Sequence, residues 1–335
     1  MEPLKSAHPV SEAFARRFAG CCGDIPVLPF SEFMQLSLYD REVGYYLATR
    51  RRVGTQPGTD FYTASGMKQV FAPLLVAAIV RLLGPKKAVQ CVFVEIGPEP
   101  GEALLDGIPH PFASRQSVRV GEPITVPERA IVFSNELFDA QPFSRVVYRQ
   151  GAWREMGVRL DGRQLSWAEL PAFSGDVAAA ANRLPVDAPD GYTIDLPLRA
   201  EALMRSLADA SWTGLMLAFD YGRAWETLCT EHPDGTGRGY RAHRYASSLL
   251  DDAGLQDLTC HVCWDWLEMA LGDTGFSRIG RTGQEAFFVK HSAEAIAAIM
   301  ADNPSPVSAP RSQLKQLIHP ALMGQRFEAL WAVRE

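Results

Sequence analysis

The sequence of 335 residues predicts an α/β protein with a mostly parallel sheet that is buried on both faces. Three short apolar segments, Cys91–Ile96, Ala130–Phe133 and Gly214–Phe219, have the composition of such strands. A glycine or a run of polar residues follows each of them directly. Because ligand groups in parallel sheets collect at the carboxyl ends of the strands, we expect neighbouring strands with a ligand site at these ends.

The segments before the first strand predict helices. Apolar residues between positions 11 and 38 predict two helices, separated by Pro26 and Pro29. From residue 67 to residue 83 apolar residues repeat at i, i+3 and i+4, which predicts a long helix that Gly84 and Pro85 end. Residues 48–65, rich in glycine and threonine, are expected to form the loop between them.

The segments after the second strand predict an antiparallel meander and a C-terminal region. Three alternating segments flank the dipeptides Gln150-Gly151 and Asp161-Gly162, which favour tight hairpins. Residues 223–262, rich in glycine, histidine and arginine, predict an excursion from the sheet. We expect a late strand at 285–290 and helix over 311–331, broken near Pro320.

Composition limits the class of protein. The net charge of −6 gives no basic field for nucleic acid or anionic membrane, and the apolar run Val70–Val80 is too short to cross a bilayer. The first residues lack the apolar core of a signal peptide, so we expect an intracellular protein. Six cysteines include Cys260 and Cys263 at metal-like spacing, but no second pair accompanies them, so we expect no metal site.

Several polar residues are candidates for function, each with an ordinary structural alternative. The turn Gly97–Gly101 can direct backbone N–H groups at a ligand, or it can be a plain turn. Glu136 and Asp220 follow strands, where a carboxylate can hold a cationic ligand or cap the strand end. His243 and His261 can act as acid–base groups or have structural roles.

Taken in order, several stretches resemble one family over residues 28 to 331. They are FSEFMQLSLYDREVGYY (30–46), DFYTASGMKQVFAPLL (60–75), VEIGPEPGEALL (94–105), SNELFDAQPF (134–143), LAFDYG (217–222), GTGRGYRAH (235–243), DLTCHV (257–262) and GQEAFF (283–288). The chain resembles the S-adenosylmethionine-dependent methyltransferases that assist the assembly of respiratory complex I. The resemblance implies methyl transfer from S-adenosyl-L-methionine to an arginine of a partner protein, without nucleic-acid binding or membrane insertion. It implies a cytoplasmic protein, or one of the mitochondrial matrix in a eukaryote.

The resemblance also implies an architecture and a set of site residues. The fold is a class I methyltransferase (Rossmann-like) sheet, with an N-terminal helical cap and cofactor-facing loop at 1–88, an α/β domain at 89–335 and an insertion at about 223–262. The implied catalytic residues are Glu136, Asn135 and His261, with Glu136 orienting the guanidinium and His261 as a minor candidate for the base. The implied cofactor-binding residues are Glu95, Gly97, Gly101, Asp60, Thr63 and Glu122, and the implied substrate-binding residues are Asp139, Asp220 and Tyr221.

Two departures from the family pattern affect the cofactor site. Glu99 stands where the family has a glycine, and Pro100 restricts its backbone. A carboxylate ~4 Å from the cofactor's own carboxylate would cost roughly 4 kcal/mol. We therefore expect weak or lost cofactor binding, which Glu99→Gly should tighten.

The second departure is a short interval. Only 33 residues, 102–134, lie between Gly101 and Asn135. Two crossovers with their strands need roughly 45 residues, so we expect one reduced βα unit, with Glu122 as the substitute for the usual ribose-binding acid. The leading hypothesis is a protein arginine methyltransferase with a divergent cofactor site. The alternatives are a non-catalytic binding or assembly module and a dinucleotide-dependent oxidoreductase.

Overall fold

The computed structural model describes residues 8–23, 26–47, 67–98, 101, 103–241, 243–303, 305 and 307–335. The helices are α1 Glu12–Cys21, α2 Phe30–Tyr39, α3 Lys68–Leu83, α4 Pro85–Ala88, α5 Gly175–Ala180, α6 Leu198–Asp209, α7 Trp225–Thr230, α8 Trp264–Asp273, α9 Gln284–His291, α10 Ala293–Asp302 and α11 Ala309–Ile318. The strands are β1 Val27–Pro29, β2 Val92–Ile96, β3 Ser114–Val118, β4 Arg129–Asn135, β5 Ser144–Arg149, β6 Ala152–Asp161, β7 Gln164–Glu169, β8 Thr193–Leu196, β9 Thr213–Asp220, β10 Gly222–Arg223, β11 Arg238–Arg241, β12 Arg244–Tyr245, β13 Asp257–Thr259, β14 Val262–Cys263, β15 Ser277–Gly283 and β16 Glu328–Arg334. Within the described residues, no helix is both long and apolar enough to span a bilayer.

Six described strands form the main sheet, in the order β15-β16-β9-β4-β2-β3. The strands β3, β2, β4 and β9 run parallel to one another, β16 runs antiparallel to β9, and β15 runs antiparallel to β16. Phe93 lies opposite Ile131, which lies opposite Leu215. The prediction that the three apolar segments are neighbouring strands is confirmed, and the sheet as a whole is mixed.

Helices cover both faces of this sheet, as the wholly apolar strands require. On one face α3 places Phe71 against Phe133 and Phe219, at ring-centroid distances of 6.3 and 5.6 Å. On the other face α6 and α8 contribute Met204 and Trp264 to a second buried cluster. Burying one side chain of this size stabilises the fold by about 1.5–3 kcal/mol.

A second sheet holds the predicted meander in the order β1-β6-β5-β8, with β7 paired to β6. The first hairpin turns at Gln150-Gly151, as predicted, whereas the second turns one residue later than predicted, at Gly162-Arg163. Helix α2 covers this sheet, because Phe30 contacts Phe143 and Trp167 at 5.0 Å each. The N-terminal segment therefore packs on the second sheet and adds the edge strand β1 to it.

The predicted excursion at 223–262 forms a small lobe. Its strands pair in the order β12-β11-β13, and β14 pairs with β10 just after β9. Residues from this lobe, from α2 and from the carboxyl ends of the parallel strands line the same cleft. The lobe and α2 therefore lie over these strand ends.

Two secondary-structure predictions near the C-terminus are wrong. Residues 284–291 are the helix α9, not a strand, because Phe287 and Phe288 both pack beside Phe219 while β16 pairs with β9. Residues 328–331 begin β16 and are not helical, since this antiparallel strand pairs with β9 along its length. Short apolar runs fit a helix or a strand equally well until their neighbours are known. Helix α11 does end before Pro320, as expected.

The interval between β2 and β4 is short, as counted from the sequence. Its described residues contain the strand β3 and no helix. The chain passes from β3 to β4 through residues 119–128, which are turn and loop.

Candidate functional site

A cleft of about 740 Å³ lies at the carboxyl ends of β2, β3, β4 and β9. We call one group of lining residues the strand-end half; it comprises Glu95, Ile96, Gly97, Val118, Arg119, Glu122, Asn135, Glu136 and Leu137. A second group, which we call the lobe half, comprises Tyr39, Tyr46, Asp139, Tyr221, Arg223, His232, Arg238, Asp257, His261 and Arg326. Its position and size are those of a small-molecule site in an α/β protein.

The first strand end presents Glu95 and Gly97 to the cleft. Gly97 has a φ of 73°, and a Cβ there would lie 3.0 Å from Leu137 Cδ1, so this position needs glycine. Glu95 is buried and its Oε2 accepts a hydrogen bond from the Leu104 N–H at 2.9 Å. Burial raises the pKa of Glu95, and that hydrogen bond opposes the rise.

Other predicted cofactor residues are placed differently or lie outside the description. Gly101 has a φ of 116° but is exposed and does not line the cleft. Asp60, Thr63, Glu99 and Pro100 lie outside the described residues.

The end of β3 carries an arginine where an acidic residue was expected. Arg119 follows the last residue of β3, and its guanidinium donates to the Gly101 carbonyl at 3.2 Å. Glu122 lines the cleft three residues later, but its Oε2 accepts from the Arg119 N–H at 2.7 Å. Arg119 was not predicted as a site residue, because β3 is short and polar and its sequence does not indicate a strand.

Asn135 and Glu136 both line the cleft at the end of β4. The Asn135 amide donates to Glu136 Oε1 at 3.0 Å, and the buried Asn135 Oδ1 has no donor among the described residues. Glu136 has a φ of 53°, and its N–H donates to the Phe219 carbonyl at 2.9 Å. A left-handed backbone at a non-glycine residue costs energy, and such residues collect at functional sites.

Asp139 lines the cleft and is buried. Its Oδ1 has no hydrogen-bond donor in the described part of the chain, while the Tyr221 hydroxyl bonds to the same carboxylate. Burial, together with the charge of Asp220, raises the pKa of Asp139 well above its ordinary value. The predicted substrate residues Asp139 and Tyr221 are therefore brought together in the cleft.

Asp220 differs from the prediction, because its carboxylate does not line the cleft. It is fully buried and accepts the backbone N–H groups of Phe138, Asp139 and Tyr221 at 2.9, 3.4 and 2.9 Å. Burial raises its pKa to about 7. Asp220 thus stabilises the turn after β4, which is a structural role and not contact with a ligand.

Two tyrosines from the N-terminal segment also line the cleft. The Tyr46 hydroxyl donates to Asp257 Oδ1 at 2.7 Å, and the Tyr39 hydroxyl donates to the Ala140 carbonyl at 2.8 Å. The sequence contains no local signal that marks Tyr39, Tyr46 and Asp257 as site residues. They come from two distant segments that only the tertiary fold brings together.

The histidines are placed differently from one another. His261 lines the lobe half, and burial lowers its pKa to about 4, with Arg223 and His232 adding to the effect. It is therefore neutral at pH 7 and a weak proton acceptor, which disfavours it as the catalytic base. His243 is exposed and does not line the cleft.

The two closely spaced cysteines, Cys260 and Cys263, are buried. Burial raises the pKa of Cys263 to about 12, so its thiol stays protonated. No group of three or more potential ligands within the described ranges is placed to hold a metal ion.

The fold and the cleft define an α/β protein with a ligand-sized cleft at the carboxyl ends of parallel strands, beside a glycine turn and a buried carboxylate. The family model described as "Putative S-adenosyl-L-methionine-dependent methyltransferase" matches residues 87–282, more than half of the chain. The protein belongs to this family, and the resemblance seen in the sequence is confirmed.

Comparisons with individual proteins agree with this membership. The chain is 27% identical over 204 residues to "Protein arginine methyltransferase NDUFAF7, mitochondrial" of Xenopus laevis, a match that covers 58% of this chain and 44% of the frog protein. This chain thus spans less than half the length of that relative.

Two crystal structures from Burkholderia thailandensis, both of proteins of one superfamily, share the fold. The first, bound to S-adenosyl-homocysteine, superposes with a TM-score of 0.82 at 24% identity and covers 98% of this chain and 95% of that one. The second has a TM-score of 0.77 at 22% identity, with the same coverage.

Proposed function

We propose that this protein transfers a methyl group from S-adenosyl-L-methionine to an arginine side chain of a partner protein. The observation that carries the proposal is a cluster of hydrogen-bond acceptors in the cleft, formed by Asn135, Glu136 and Asp139. Asn135 Oδ1 and Asp139 Oδ1 are buried and have no donor among the described residues. A guanidinium has five N–H donors and no acceptor, so it is the side chain that complements such a cluster best.

The strand-end half has residues that fit the cofactor. Gly97 brings the backbone close to the cleft, Glu95 places a buried carboxylate beside it, and Ile96, Val118 and Leu137 offer apolar surface. S-adenosyl-L-methionine supplies an electrophilic methyl group when it is bound. We assign Glu95, Gly97 and Glu122 to its binding.

We assign the main sheet to the class I methyltransferase type with its outermost βα unit missing. A doubly wound sheet of this kind has one more strand beyond the position of β3, and among the described strands β3 is the edge. We propose that the chain is divided into an N-terminal segment at 1–88 and an α/β domain at 89–335. The N-terminal segment closes the cleft through Tyr39 and Tyr46.

Within the acceptor cluster the residues have different tasks. The Glu136 carboxylate, held by the Asn135 amide at 3.0 Å, orients the guanidinium by charge-assisted hydrogen bonds. When methyl transfer is complete, the guanidinium nitrogen has one proton to lose, and the ionised Asp139 can accept it because its pKa is raised. Binding of the guanidinium should ionise Asp139, so affinity for the substrate should rise with pH.

The variant Glu136→Gln tests the proposal. Because it removes one charge from the acceptor cluster, we expect it to weaken the binding of an arginine peptide about ten- to a hundredfold, while S-adenosyl-homocysteine still binds. Calorimetry with both ligands and transfer of labelled methyl groups to the peptide provide the measurements. Asp209→Asn, at an exposed carboxylate outside the cleft, is the matched control. Unchanged peptide affinity together with a lower melting temperature would give Glu136 a structural role and contradict the proposal.

A second candidate function is that of a non-catalytic binding or assembly module. The observation that favours it is Arg119 at the end of β3, where an acid for the ribose was expected. Titration with S-adenosyl-homocysteine separates the two functions, since only the enzyme needs to bind it. If binding is absent, Glu99→Gly and Arg119→Asp show which departure causes the loss.

We propose a protein partner in either case. The mitochondrial name of the frog relative and the resemblance to complex I assembly factors support a partner in respiratory complex I assembly. They also support the mitochondrial matrix as the location if the source is a eukaryote, and the cytoplasm otherwise.

A further inference from the structure

The lobe half of the cleft contains three arginines. Arg223, Arg238 and Arg326 line the cleft and are exposed, and none forms an ion pair with a described residue. Arg223 donates to the neighbouring Gly222 carbonyl at 2.7 Å, and Arg238 lies over the Tyr245 ring at 5.7 Å. We call these three residues the arginine zone.

Two histidines lie beside the arginine zone. The rings of His232 and His261 are perpendicular, with centroids 5.5 Å apart. His232 Nε2 and His261 Nδ1 are buried, and neither has a hydrogen-bond partner among the described residues. Burial and then the charge of Arg223 lower the pKa of both rings, so both are neutral at pH 7. Each neutral imidazole keeps one N–H that can be donated to an anion.

The arginine zone and the acceptor cluster are connected by Tyr221. Its ring contacts His261 at 5.8 Å, and its hydroxyl bonds to Asp139. The same ring contacts Phe327, the residue after Arg326, at 5.6 Å. One cleft thus presents acceptors for a cation and donors for an anion, and Tyr221 contacts residues of both groups.

We propose that the arginine zone is a carboxylate-binding subsite that selects substrates in which a carboxylate lies close to the target arginine. The proposal rests on the proposed function, since it assumes that the acceptor cluster holds a guanidinium. Planar guanidinium groups pair with carboxylates through two parallel hydrogen bonds, and the unpaired arginines leave these donors available. The carboxylate can come from an acidic side chain next to the target or from the chain end of a C-terminal arginine.

Matched peptides test this subsite by fluorescence anisotropy at saturating S-adenosyl-homocysteine. The set compares Arg-Asp with Arg-Asn sequences, and an arginine-terminated free acid with its amide. We expect the carboxylate-bearing member of one pair to bind about ten- to a hundredfold more tightly. The pair that shows the difference identifies the source of the carboxylate.

Two variants on one strand assign the effect to the subsite. In the peptide pair whose members differ in affinity, Arg238→Gln should bring the ratio of the two affinities close to one. Arg238→Glu should reverse the preference, so that a peptide with lysine in place of the acidic residue binds more tightly. Arg241→Gln is the matched control: Arg241 lies on the same strand β11, pairs with Asp252 and does not line the cleft. We expect it to keep the ratio of the wild type.

Equal affinities within both peptide pairs would overturn the proposal. A loss of S-adenosyl-homocysteine binding in Arg238→Gln would also overturn it, since the arginine would then serve the cofactor. These readouts are independent of catalysis. If no peptide is methylated but the affinity ratio persists, the enzymatic function fails and the subsite stands; if peptides are methylated at equal affinity, the subsite alone fails.

Discussion

The carboxyl ends of β4 and β9 look alike in the sequence but have opposite roles in the structure. Both are apolar strands with an acidic residue at the end, Glu136 in one and Asp220 in the other. Glu136 lines the cleft, whereas Asp220 is buried and binds three backbone N–H groups. A carboxylate at a strand end therefore indicates either a ligand group or a turn-forming group, and the sequence pattern does not separate them.

Backbone geometry separates them. Asp220 is still part of β9, and strand alternation places it on the same face as Ala218, where the turn after β4 presents its N–H groups. Glu136 lies one residue beyond β4 and has a φ of 53°. Its side chain therefore does not follow the alternation of side chains between the two faces of the sheet. The N–H of Glu136 nevertheless bonds to Phe219, so the two strand ends support each other.

The largest expected effect comes from removing the buried carboxylate at the end of β9. Asp220→Ala leaves three buried or partly buried N–H groups without an acceptor, so we expect a loss of about 3–5 kcal/mol in the free energy of unfolding. Urea denaturation at pH 7 measures it. A variant of wild-type stability that had instead lost arginine-peptide binding would place Asp220 in the site and give the two strand ends the same role.

A smaller effect concerns pH and His261, whose ring contacts Tyr221 just after β9. Its folded pKa of about 4 is below the unfolded value of 6.5, so the unfolded chain binds more protons between these values. Stability from this group is complete above pH 6.5 and is lost as the pH falls towards 4, by up to about 3 kcal/mol.

The variant His261→Gln isolates this contribution, because it should lose less stability than the wild type over that range. The raised pKa of Asp220 acts in the opposite direction, since stability from that group falls as the pH rises towards about 7. Urea midpoints of both proteins, measured from pH 7.5 to pH 4.5, give the difference. Parallel curves would show that His261 is not held neutral in the fold.

The smallest expected effect is at the end of β4. Glu136→Gly should stabilise the fold by about 0.5–1 kcal/mol. Glycine adopts the left-handed backbone without strain, and the relief of that strain is larger than the extra conformational entropy that glycine loses on folding. Glu136→Ala is the matched control and keeps the strain. Thermal unfolding of both variants measures the effect. An equal change in both would show that the backbone at this position carries no strain.

The sequence by itself determined the central strands, the meander, α3 and the family. These segments have strong local signals: wholly apolar strands, glycine-containing hairpin dipeptides and a 3.6-residue period. It also indicated Glu95, Gly97, Asn135, Glu136, Asp139, Tyr221 and His261, all of which the structure places around one cleft. The short interval before Asn135 could be counted from the sequence too, and its described residues contain no helix.

Only the tertiary structure decided the rest. Residues 285–290, predicted as a strand, are helical, and residues 328–331, predicted as helix, are a strand. The reason is that β16 pairs with β9, whereas Phe287 and Phe288 pack against Phe219. Tyr46 and Asp257 meet although 211 positions separate them in the chain, and the arginine zone gathers residues from three segments. Local patterns specify the local backbone, but the direction of a side chain at the end of a strand depends on which N–H groups and charges the remaining chain places around it.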